Sequence, residues 1–367
     1  MATPTLLVTG GTGAIGAGLV GLLASSPGRV ARIAVLTRSL DEPRTRRLLE
    51  RWEAAARVPI VLVQGDLSEA TWIDELEPVR DSVTTVVHLA ANTRFTTPIA
   101  DARRTNVQGT AALLDFARRC PKLESVACVS TVYVAGLRTN RIFERELDHA
   151  AGFANAYEQS KHEMETLARA TMSSLPVSVH RLSTAIGEVG SGAVPVVNAF
   201  HTALQLLYAG LVPMIPGDPA TPVDVICTDF AARSLHHMVI EPPEVGLTYH
   251  ICAGDSAPTL TEVLGTAMEA MRRHRPAWRR RQIEVPAIVD LATYELFVRS
   301  VEESGDEAMT RATRSLSSFA RQLAHPKVFD TERADAAFIG DIALPDSLTL
   351  CSDVVRFCVE NRWRAAA

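Results

Sequence analysis

The chain alternates short apolar runs with longer segments of helical character, starting at Thr5. The apolar runs have the length of strands and lie at Thr5–Thr9, Val30–Leu36, Pro59–Gln64, Val83–Leu89, Ser125–Ser130 and Val177–Leu182. Helices are predicted between them at Ala14–Ala24, Pro43–Arg57, Pro98–Arg119 and Asn155–Ser173. Strands that alternate with helices are typical of a parallel sheet covered by helices. The pattern therefore predicts an α/β fold with a doubly wound parallel sheet.

The pattern loosens after Gly187, where loops rich in glycine and proline follow. Two more strands are predicted at Val223–Cys227 and Leu247–Cys252, and we expect both to rejoin or extend the sheet. Beyond Thr259 the chain has mainly helical character, with helices predicted at Leu260–Arg273, Ala287–Ser300, Glu307–Leu323 and Ser347–Asn361.

These elements divide the chain into two predicted parts. A nucleotide-binding domain is predicted over residues 1–190, with 222–256 rejoining its sheet. A smaller, mainly helical lobe is predicted over 191–221 and 257–367. We expect the lobe to cap the carboxyl ends of the strands, because open parallel sheets bind their ligands there.

Composition and charge favour a globular enzyme with small-molecule ligands. Hydrophobic residues make up 47% of the 367 positions and the net charge is only −5, so neither nucleic acid nor a membrane surface is the expected partner. The six cysteines form no cluster with zinc-ligand spacing, and no metal site is predicted. We find no secretion signal and no uninterrupted apolar stretch of about 20 residues, so we expect a cytoplasmic chain without a membrane span.

A glycine-rich turn directly follows the first predicted strand and opens the first helix. A dinucleotide site needs one glycine for the tight turn, one where the backbone approaches the pyrophosphate, and one, here Gly16, where the helix packs closely on the strand. Because strand, turn and helix occur in that order, the motif predicts a Rossmann-type dinucleotide site. The residues assigned to it are Gly10, Thr12, Gly13, Ala14, Ile15 and Gly16.

The ends of the next three strands supply the other predicted cofactor contacts. Arg38 follows the second strand, where an enzyme selective for NAD usually carries an acidic residue. A guanidinium can bind the extra 2′-phosphate, so NADP is the predicted cofactor, and Asp41 is the competing carboxylate. The third strand is followed by two residues that can contact the adenine, and the fourth by residues that let the backbone pass close to the cofactor. These are Asp66 and Leu67, and then Leu89, Ala90 and Ala91.

A tyrosine and a lysine four residues apart form the predicted acid/base pair. Tyr157 and Lys161 lie in a predicted helix, where this spacing puts both side chains on one face. Only three of the 37 basic residues are lysines, so a lysine at this position is unlikely by chance. Lys161 can tune the tyrosine and bind the nicotinamide ribose. Thr131, at the end of the fifth strand, is predicted to polarise a substrate carbonyl in preference to its neighbour Ser130, which is assigned to the cofactor site.

These motifs together resemble the extended short-chain dehydrogenase/reductase superfamily over at least residues 5–255. The glycine turn, Asn106–Thr110, Val129–Tyr133 and the Tyr157/Lys161 pair fall where that family has them, and the resemblance implies the same catalytic roles. Further stretches look more like its thioester reductase and fatty acyl-CoA reductase branch than like the sugar-nucleotide epimerases. They are Val87–Phe95, Val129–Gly136, Tyr157–Lys161 and Pro216–Val225. His180–Thr184 differs from the Arg-Pro-Ser that is more usual in that branch.

The leading functional hypothesis is NADPH-dependent reduction of a thioester, carried by coenzyme A or a carrier protein, to an aldehyde or alcohol. A ketone or alcohol oxidoreductase acting on a steroid, flavonoid or polyketide is the second. A sugar-nucleotide epimerase or dehydratase is the third, since Arg38 favours a dissociable NADP over a retained NAD. A catalytically inactive redox sensor would not require Tyr157 and Lys161. The predicted partners are a small-molecule or carrier-bound acyl substrate and an acyl carrier protein, with the chain as a monomer or homodimer.

Two segments outside these motifs each allow two interpretations. The predicted helix around Asn198–Tyr208 either packs in the core with a polar stripe facing water, or forms a wall of an acyl pocket or a dimer contact. That stripe consists of Asn198, His201, Thr202 and Gln205. The run from Arg272 to Arg281 has six arginines around Trp278. It is either a solvated helix end with its loop or a docking site for coenzyme A phosphates or an acidic carrier protein.

Overall fold

The computed structural model describes residues 4–69, 71–275, 278, 283–338 and 342–366. Its strands are β1 (Thr5–Thr9), β2 (Arg32–Thr37), β3 (Ile60–Gln64), β4 (Thr85–His88), β5 (Ser125–Thr131), β6 (Asn140–Ile142), β7 (Val177–Leu182), β8 (Thr184–Ala185), β9 (Met214–Pro216), β10 (Val225–Ile226), β11 (Thr248–Ile251), β12 (Ala287–Val289) and β13 (Lys327–Phe329). Its α-helices are α1 (Ala14–Ala24), α2 (Pro43–Ala55), α3 (Glu77–Arg80), α4 (Ile99–Arg103), α5 (Gly109–Arg118), α6 (Ala156–Thr171), α7 (Ala199–Ala209), α8 (Thr228–Ile240), α9 (Leu260–His274), α10 (Leu291–Ser304), α11 (Glu307–Leu323), α12 (Glu332–Ala337) and α13 (Ser347–Glu360).

Seven of these strands form one parallel sheet in the order β11-β7-β5-β4-β1-β2-β3. Strands β1, β4 and β7 are buried along their whole length, as expected for strands covered by helices on both faces. The chain order reverses between β1 and β4, and the carboxyl ends of these strands flank the crevice in which open α/β sheets bind ligands. The predicted doubly wound fold with a mainly helical C-terminal part is confirmed.

One of the two later strands joins this sheet and the other does not. Strand β11 pairs with β7 at the sheet edge, as expected for the segment Leu247–Cys252. The expectation that Val223–Cys227 also rejoins the sheet is wrong, since only Val225–Ile226 is a strand and it pairs with β8 in a separate two-stranded sheet. The physical reason is that β11 already occupies the free edge of β7.

Helix α8 is absent from the sequence prediction, although it packs directly on α1. It begins just after the predicted strand, where the Cys227 sulfur accepts a hydrogen bond from the Phe230 N–H at 3.2 Å. Its buried face includes Phe230, Leu235 and Met238, but two histidines and an arginine interrupt the apolar pattern. The signal for this helix was therefore weak.

The helix predicted at Pro98–Arg119 consists of three parts. Helix α4 passes through a π-helical turn at Arg104–Gln108 into α5. π-helical turns are rare and often lie at functional sites. The turn carries Asn106, whose side chain is buried.

The helical lobe and the sheet share one hydrophobic core. A single cluster of buried side chains includes Leu19 of α1, Val87 of β4, Met268 of α9 and Val355 of α13. Within the lobe, α9 packs on α13, and α11 packs on α7 and α10. None of the helices in the described ranges combines the length and the apolar character needed to cross a membrane.

Candidate active site

The glycine turn has a geometry that side chains would prevent. Gly10 has a φ of +73°, and a Cβ there would lie 2.6 Å from the Ala90 nitrogen. A Cβ on Gly16 would lie 2.2 Å from the Gly10 oxygen, so α1 can approach β1 closely only with glycine at this position. The Gly13 N–H donates to the Gly10 oxygen at 3.0 Å and closes the turn.

The N-terminus of α1 is open to an anion. Its N-cap residue is Gly13, which has no side chain to satisfy the first N–H groups, and no acidic residue lies in the first turn. Unsatisfied N–H groups and the helix dipole both attract phosphate at such an end. The residues present therefore fit the pyrophosphate of a dinucleotide.

Arg38 lies at the carboxyl end of β2 and is exposed. It makes no ion pair with the described residues. The competing carboxylate, Asp41, forms an ion pair with Arg46 at 2.6 Å. Sequence reasoning missed Arg44, whose guanidinium donates to the Thr12 oxygen at 3.2 Å and the Pro195 oxygen at 3.1 Å. Two arginines therefore lie near the glycine turn. The sequence signal for the second one was its position only six residues after Arg38.

The other predicted cofactor residues also lie at this edge of the sheet. The Asp66 carboxylate accepts hydrogen bonds from the Ser68 N–H at 2.8 Å and hydroxyl at 2.7 Å. Leu67 is buried against Gly109, where an added Cβ would lie 2.8 Å from the leucine Cβ. Ala90 donates its N–H to the Thr9 hydroxyl at 3.3 Å. The flanking residues Leu89 and Ala91 are partly exposed beside it.

A buried histidine ties the glycine turn to the π-helical segment. His88 Nδ1 lies 2.7 Å from the Thr9 hydroxyl and His88 Nε2 lies 2.8 Å from the Thr110 hydroxyl. The Thr110 hydroxyl donates to the Asn106 main-chain oxygen at 2.7 Å. Burial, and then the charge of Lys161, lower the pKa of His88 to about 3, so the ring stays neutral. It acts as a rigid link rather than a charge.

The predicted catalytic side chains meet at the carboxyl end of β5. Thr131 is the last residue of β5, and its hydroxyl lies close enough to the Tyr157 phenol to lower the pKa of that phenol. The same hydroxyl accepts the Tyr133 N–H at 3.2 Å. Lys161, one turn after Tyr157 in α6, is buried and donates to the Val129 oxygen at 2.8 Å. The structure thus brings Thr131, Tyr157 and Lys161 together.

Burial shifts the pKa values of both members of the acid/base pair. It raises the pKa of Tyr157 to about 12, against the opposing effect of the Thr131 hydrogen bond. It lowers the pKa of Lys161 to about 8, partly offset by Cys128 and Glu165. At neutral pH the tyrosine is therefore protonated and the lysine is mostly an ammonium, which is the state needed to donate a proton.

Ser130 faces the other way and anchors α6. Its hydroxyl donates to Glu165 at 3.1 Å. Glu165 also forms a fully buried ion pair with Arg181 of the segment His180–Thr184 at 2.6 Å. Because the Ser130 hydroxyl already has this partner, Thr131 is the better placed of the two for a substrate.

Two residues next to α6, the predicted catalytic helix with Tyr157 and Lys161, were not assigned to the site from the sequence. Phe95 stacks on Tyr157 with 5.8 Å between ring centroids. Asn106 donates from Nδ2 to the Ser160 hydroxyl at 2.9 Å and to the Asn92 oxygen at 3.0 Å. Phe95 ends the stretch Val87–Phe95 and Asn106 begins the stretch Asn106–Thr110, and both stretches carry the family resemblance. Their position in these stretches could have pointed to the site.

The helical lobe reaches the catalytic helix through a buried polar cluster. Gln322 of α11 donates to Glu158 at 2.8 Å, and Lys327 of β13 donates to the Gln322 side-chain oxygen at 2.6 Å and the Gly136 oxygen at 2.9 Å. Burial raises the pKa of Glu158 to about 7 and lowers that of Lys327 to about 8. Glu158 directly follows Tyr157, so this cluster fixes the start of α6 against the lobe.

Residues 8–235 match the model of the family described as male sterility protein, a family of NAD-binding domains. The chain belongs to this family. Its glycine turn, catalytic helix and fold identify it further as a member of the extended short-chain dehydrogenase/reductase superfamily, in the thioester reductase and fatty acyl-CoA reductase-like branch. The resemblance described from the motifs is confirmed.

Two curated relatives are reductases by name. A Drosophila melanogaster protein provisionally named a fatty acyl-CoA reductase is 25% identical over 323 residues, covering 74% of this chain and 59% of its own. The aldehyde reductase lnaA of Aspergillus flavus is 27% identical over 272 residues, covering 67% of this chain and 25% of its own. The chain thus spans less than two thirds of either relative.

Solved structures match over nearly the whole chain. The terminal R domain of the myxalamid PKS-NRPS pathway has a TM-score of 0.80 and 25% identity, and the match covers 100% of this chain and 93% of that domain. A thiolation-reductase di-domain of an archaeal non-ribosomal peptide synthetase has a TM-score of 0.70 and 16% identity, with 99% and 76% covered. The latter shows the shared fold alone.

Proposed function

We propose that the protein reduces a thioester to an aldehyde or alcohol with NADPH. The observation that carries this proposal is the convergence of Thr131, Tyr157 and Lys161 beside a turn that fits a dinucleotide. Similarity to the fatty acyl-CoA reductase and to the R domain also supports this proposal. The coarser function, a nicotinamide-dependent oxidoreductase, follows from the family.

When bound, the nicotinamide supplies the hydride that adds to the thioester carbon. The hydroxyls of Thr131 and Tyr157 donate hydrogen bonds to the oxyanion that forms on the carbonyl oxygen. Collapse of this intermediate breaks the carbon–sulfur bond, releases the aldehyde and expels a thiolate, which takes up a proton. In a second reduction, which consumes a second NADPH, the aldehyde becomes an alkoxide and Tyr157 protonates it to give the alcohol. Lys161 contributes positive charge that stabilises the phenolate left when Tyr157 gives up its proton, and solvent then restores that proton.

NADPH is preferred to NADH because of the charges at the end of β2. Arg38 is exposed and free of ion pairs with the described residues, and Asp41 is held by Arg46. A guanidinium pairs well with a phosphate, whereas the ribose hydroxyls of NAD call for a carboxylate. Arg44 adds a second positive charge beside the turn.

The substrate is carried by coenzyme A or by a carrier protein. An R domain and a thiolation-reductase di-domain share the fold. In the di-domain, a thiolation domain, which carries an acyl group, stands beside a reductase domain. A partner acyl carrier protein is therefore part of the proposal.

A substrate panel tests the proposal. We expect NADPH oxidation with octanoyl-CoA and with octanoyl carrier protein, and none with a nucleotide sugar. Oxidation with a hydroxysteroid or ketone but not with thioesters would favour the ketone or alcohol oxidoreductase instead. Conversion of a nucleotide sugar without net NADPH use would favour an epimerase or dehydratase.

Replacing the proton donor tests the mechanism. Tyr157→Phe should lower turnover by roughly 10²–10⁴-fold, the usual contribution of a general acid, with the dissociation constant for NADPH changed only a few-fold. Tyr249→Phe removes a hydroxyl that donates to the Glu244 oxygen and is the matched control. Near-normal turnover in Tyr157→Phe would contradict the assigned role.

A further inference from the structure

The helical lobe contains an apolar pocket that is partly open to solvent. Its walls come from α7, β9, α9, α10 and α11, and include Ala203, Leu204, Leu207, Phe319 and Ala320. Among the lining side chains, Tyr294 alone carries a hydroxyl group and none carries a charge. Such a lining selects for hydrocarbon over charged or polar groups.

A second, smaller pocket adjoins the first and extends towards the segment that follows β5. It shares Val223, Phe319 and Leu323 with the apolar pocket. At its other end lies Tyr133, two residues after Thr131, with its phenol hydrogen-bonded to Thr184 at 3.1 Å. The second pocket is polar, because Asp224, Gln322 and Lys327 also line it.

The order of these features follows the order of groups in an acyl thioester. The reacting carbonyl belongs next to Thr131 and Tyr157, the first part of the acyl group passes Tyr133, and the tail enters the apolar pocket. Coenzyme A phosphates and a peptidyl chain are poor occupants of the pocket, since the Tyr294 hydroxyl is the one polar group among its lining side chains and cannot satisfy several buried charged or amide groups. An aliphatic tail has no hydrogen bonds to lose, and burying its apolar surface in the pocket is favourable.

We propose that this apolar pocket binds the aliphatic tail of the acyl group and sets the chain length that the enzyme prefers. The inference rests on the proposed thioester reduction and names its substrate class, a linear, unfunctionalised acyl chain. The inference also gives helix α7 a role, because Leu204 and Leu207 line the pocket. The predicted polar stripe of α7 does not simply face water, since His201 is buried and hydrogen-bonded to the Ile186 oxygen at 2.7 Å.

Filling the pocket tests the inference. In the wild type, kcat/KM should rise by roughly fourfold per methylene, which corresponds to about 0.8 kcal/mol, until the pocket is full. Ala203→Phe places a ring in the pocket and should end this rise several methylenes earlier, so that decanoyl-CoA loses at least tenfold relative to butyryl-CoA. Ala320→Phe does the same from α11. Gln205→Phe adds the same ring on the exposed side of α7 and should match the wild type.

A binding measurement separates this inference from the thioester reaction. Calorimetric titration with decanoate should show binding to the wild type and to Gln205→Phe, and its loss in Ala203→Phe and Ala320→Phe. If decanoate binds in this way but no thioester is reduced, the pocket stands and the proposed function fails. If thioesters are reduced equally at all chain lengths and both filled variants behave like Gln205→Phe, the pocket is a packing void and the inference is overturned.

Discussion

At the scale of single residues, several polar side chains in or near the candidate site already have a hydrogen-bond or ion-pair partner within the protein. Lys161 donates to a main-chain oxygen, Ser130 to Glu165, and Asp41 accepts from Arg46. Each assignment leaves a neighbouring group available for a ligand: the Thr131 hydroxyl in place of that of Ser130, and the Arg38 guanidinium in place of the Asp41 carboxylate. Of two neighbouring residues that could bind a ligand, the better candidate is therefore the one whose polar group has no charged partner among the described side chains.

The pKa of Lys161 predicts how reduction depends on pH. Burial lowers this pKa to about 8, so the ammonium is present below pH 8 and is lost as the pH rises above it. We expect kcat/KM for reduction to be level between about pH 6 and 7.5 and to fall above 8. The remaining activity of Lys161→Arg should not show this fall, because a guanidinium stays charged. A wild-type profile level to pH 10 would contradict the assignment.

Arg38 predicts the choice of cofactor. Arg38→Ala should weaken NADPH binding by roughly 10- to 100-fold, since a hydrogen-bonded charge contributes about 1.5–3 kcal/mol. NADH binding should change little because NADH has no 2′-phosphate. Fluorescence titration of both cofactors measures the ratio of dissociation constants. Arg47→Ala, which removes an exposed arginine of α2, is the control, and an unchanged ratio in Arg38→Ala would place the phosphate site elsewhere.

At the scale of elements, the catalytic helix α6 is fixed from two sides. Its inner face is held by the Glu165–Arg181 ion pair, which joins it to β7. Its start is held by Asn155, whose side chain accepts the Glu158 N–H at 3.0 Å, and by the cluster of Glu158, Gln322 and Lys327. A helix held at both places can keep Tyr157 and Lys161 in position while substrate and cofactor exchange.

Removing Lys327 should loosen the contact between lobe and helix. Lys327→Met leaves the Gly136 and Gln322 oxygens without their donor, which should lower the free energy of unfolding by about 1–3 kcal/mol. Lys122→Met, at an exposed lysine, should stay within about 0.5 kcal/mol of the wild type. Denaturant unfolding measures both. Equal stability of the two variants would show that the cluster does not support the fold.

At the scale of the whole molecule, one contiguous core joins the sheet to the lobe. The lobe therefore packs on the sheet through buried side chains and is not joined to it by the chain alone. The division of the chain at residue 190 remains a prediction, because buried side chains on both sides of it pack in the same cluster. Carrier docking is a second property of the whole molecule, since it depends on charge spread over its surface.

The basic run only partly suits the docking hypothesis. Trp278 is buried and donates to the Tyr208 oxygen at 2.8 Å, so it is a core residue and not part of a docking surface. Arg273 and Arg275 are exposed. Three further arginines of the run, Arg279, Arg280 and Arg281, lie outside the described residues.

Neutralising those three arginines tests carrier docking. Changing them together to Gln should raise KM for the carrier-bound or coenzyme A substrate, spare a short thioester without phosphates, and flatten the salt dependence, because the attraction is screened at a few tenths molar salt. The same change at Arg299, Arg311 and Arg314 is the control for net charge. If both triple variants behave alike with all substrates, the run is ordinary surface.

The sequence alone determined the features that depend on neighbouring residues. Alternating strands and helices predicted the central sheet, and the glycine turn predicted the close approach of α1 to β1, since both are local patterns with strict steric requirements. The four-residue spacing put Tyr157 and Lys161 on one helical face. Thr131 could be proposed because carboxyl ends of parallel strands meet at one edge.

Only the tertiary structure decided which distant segments meet. It placed β11 and not β10 at the sheet edge, packed α8 on α1, buried Trp278 and His201, and brought Gln322 to Glu158 of α6. The pocket in the lobe is lined from five separate elements, so no local pattern could reveal it. Periodicity specifies which face of an element is apolar, but the partner of that face depends on packing over the whole chain.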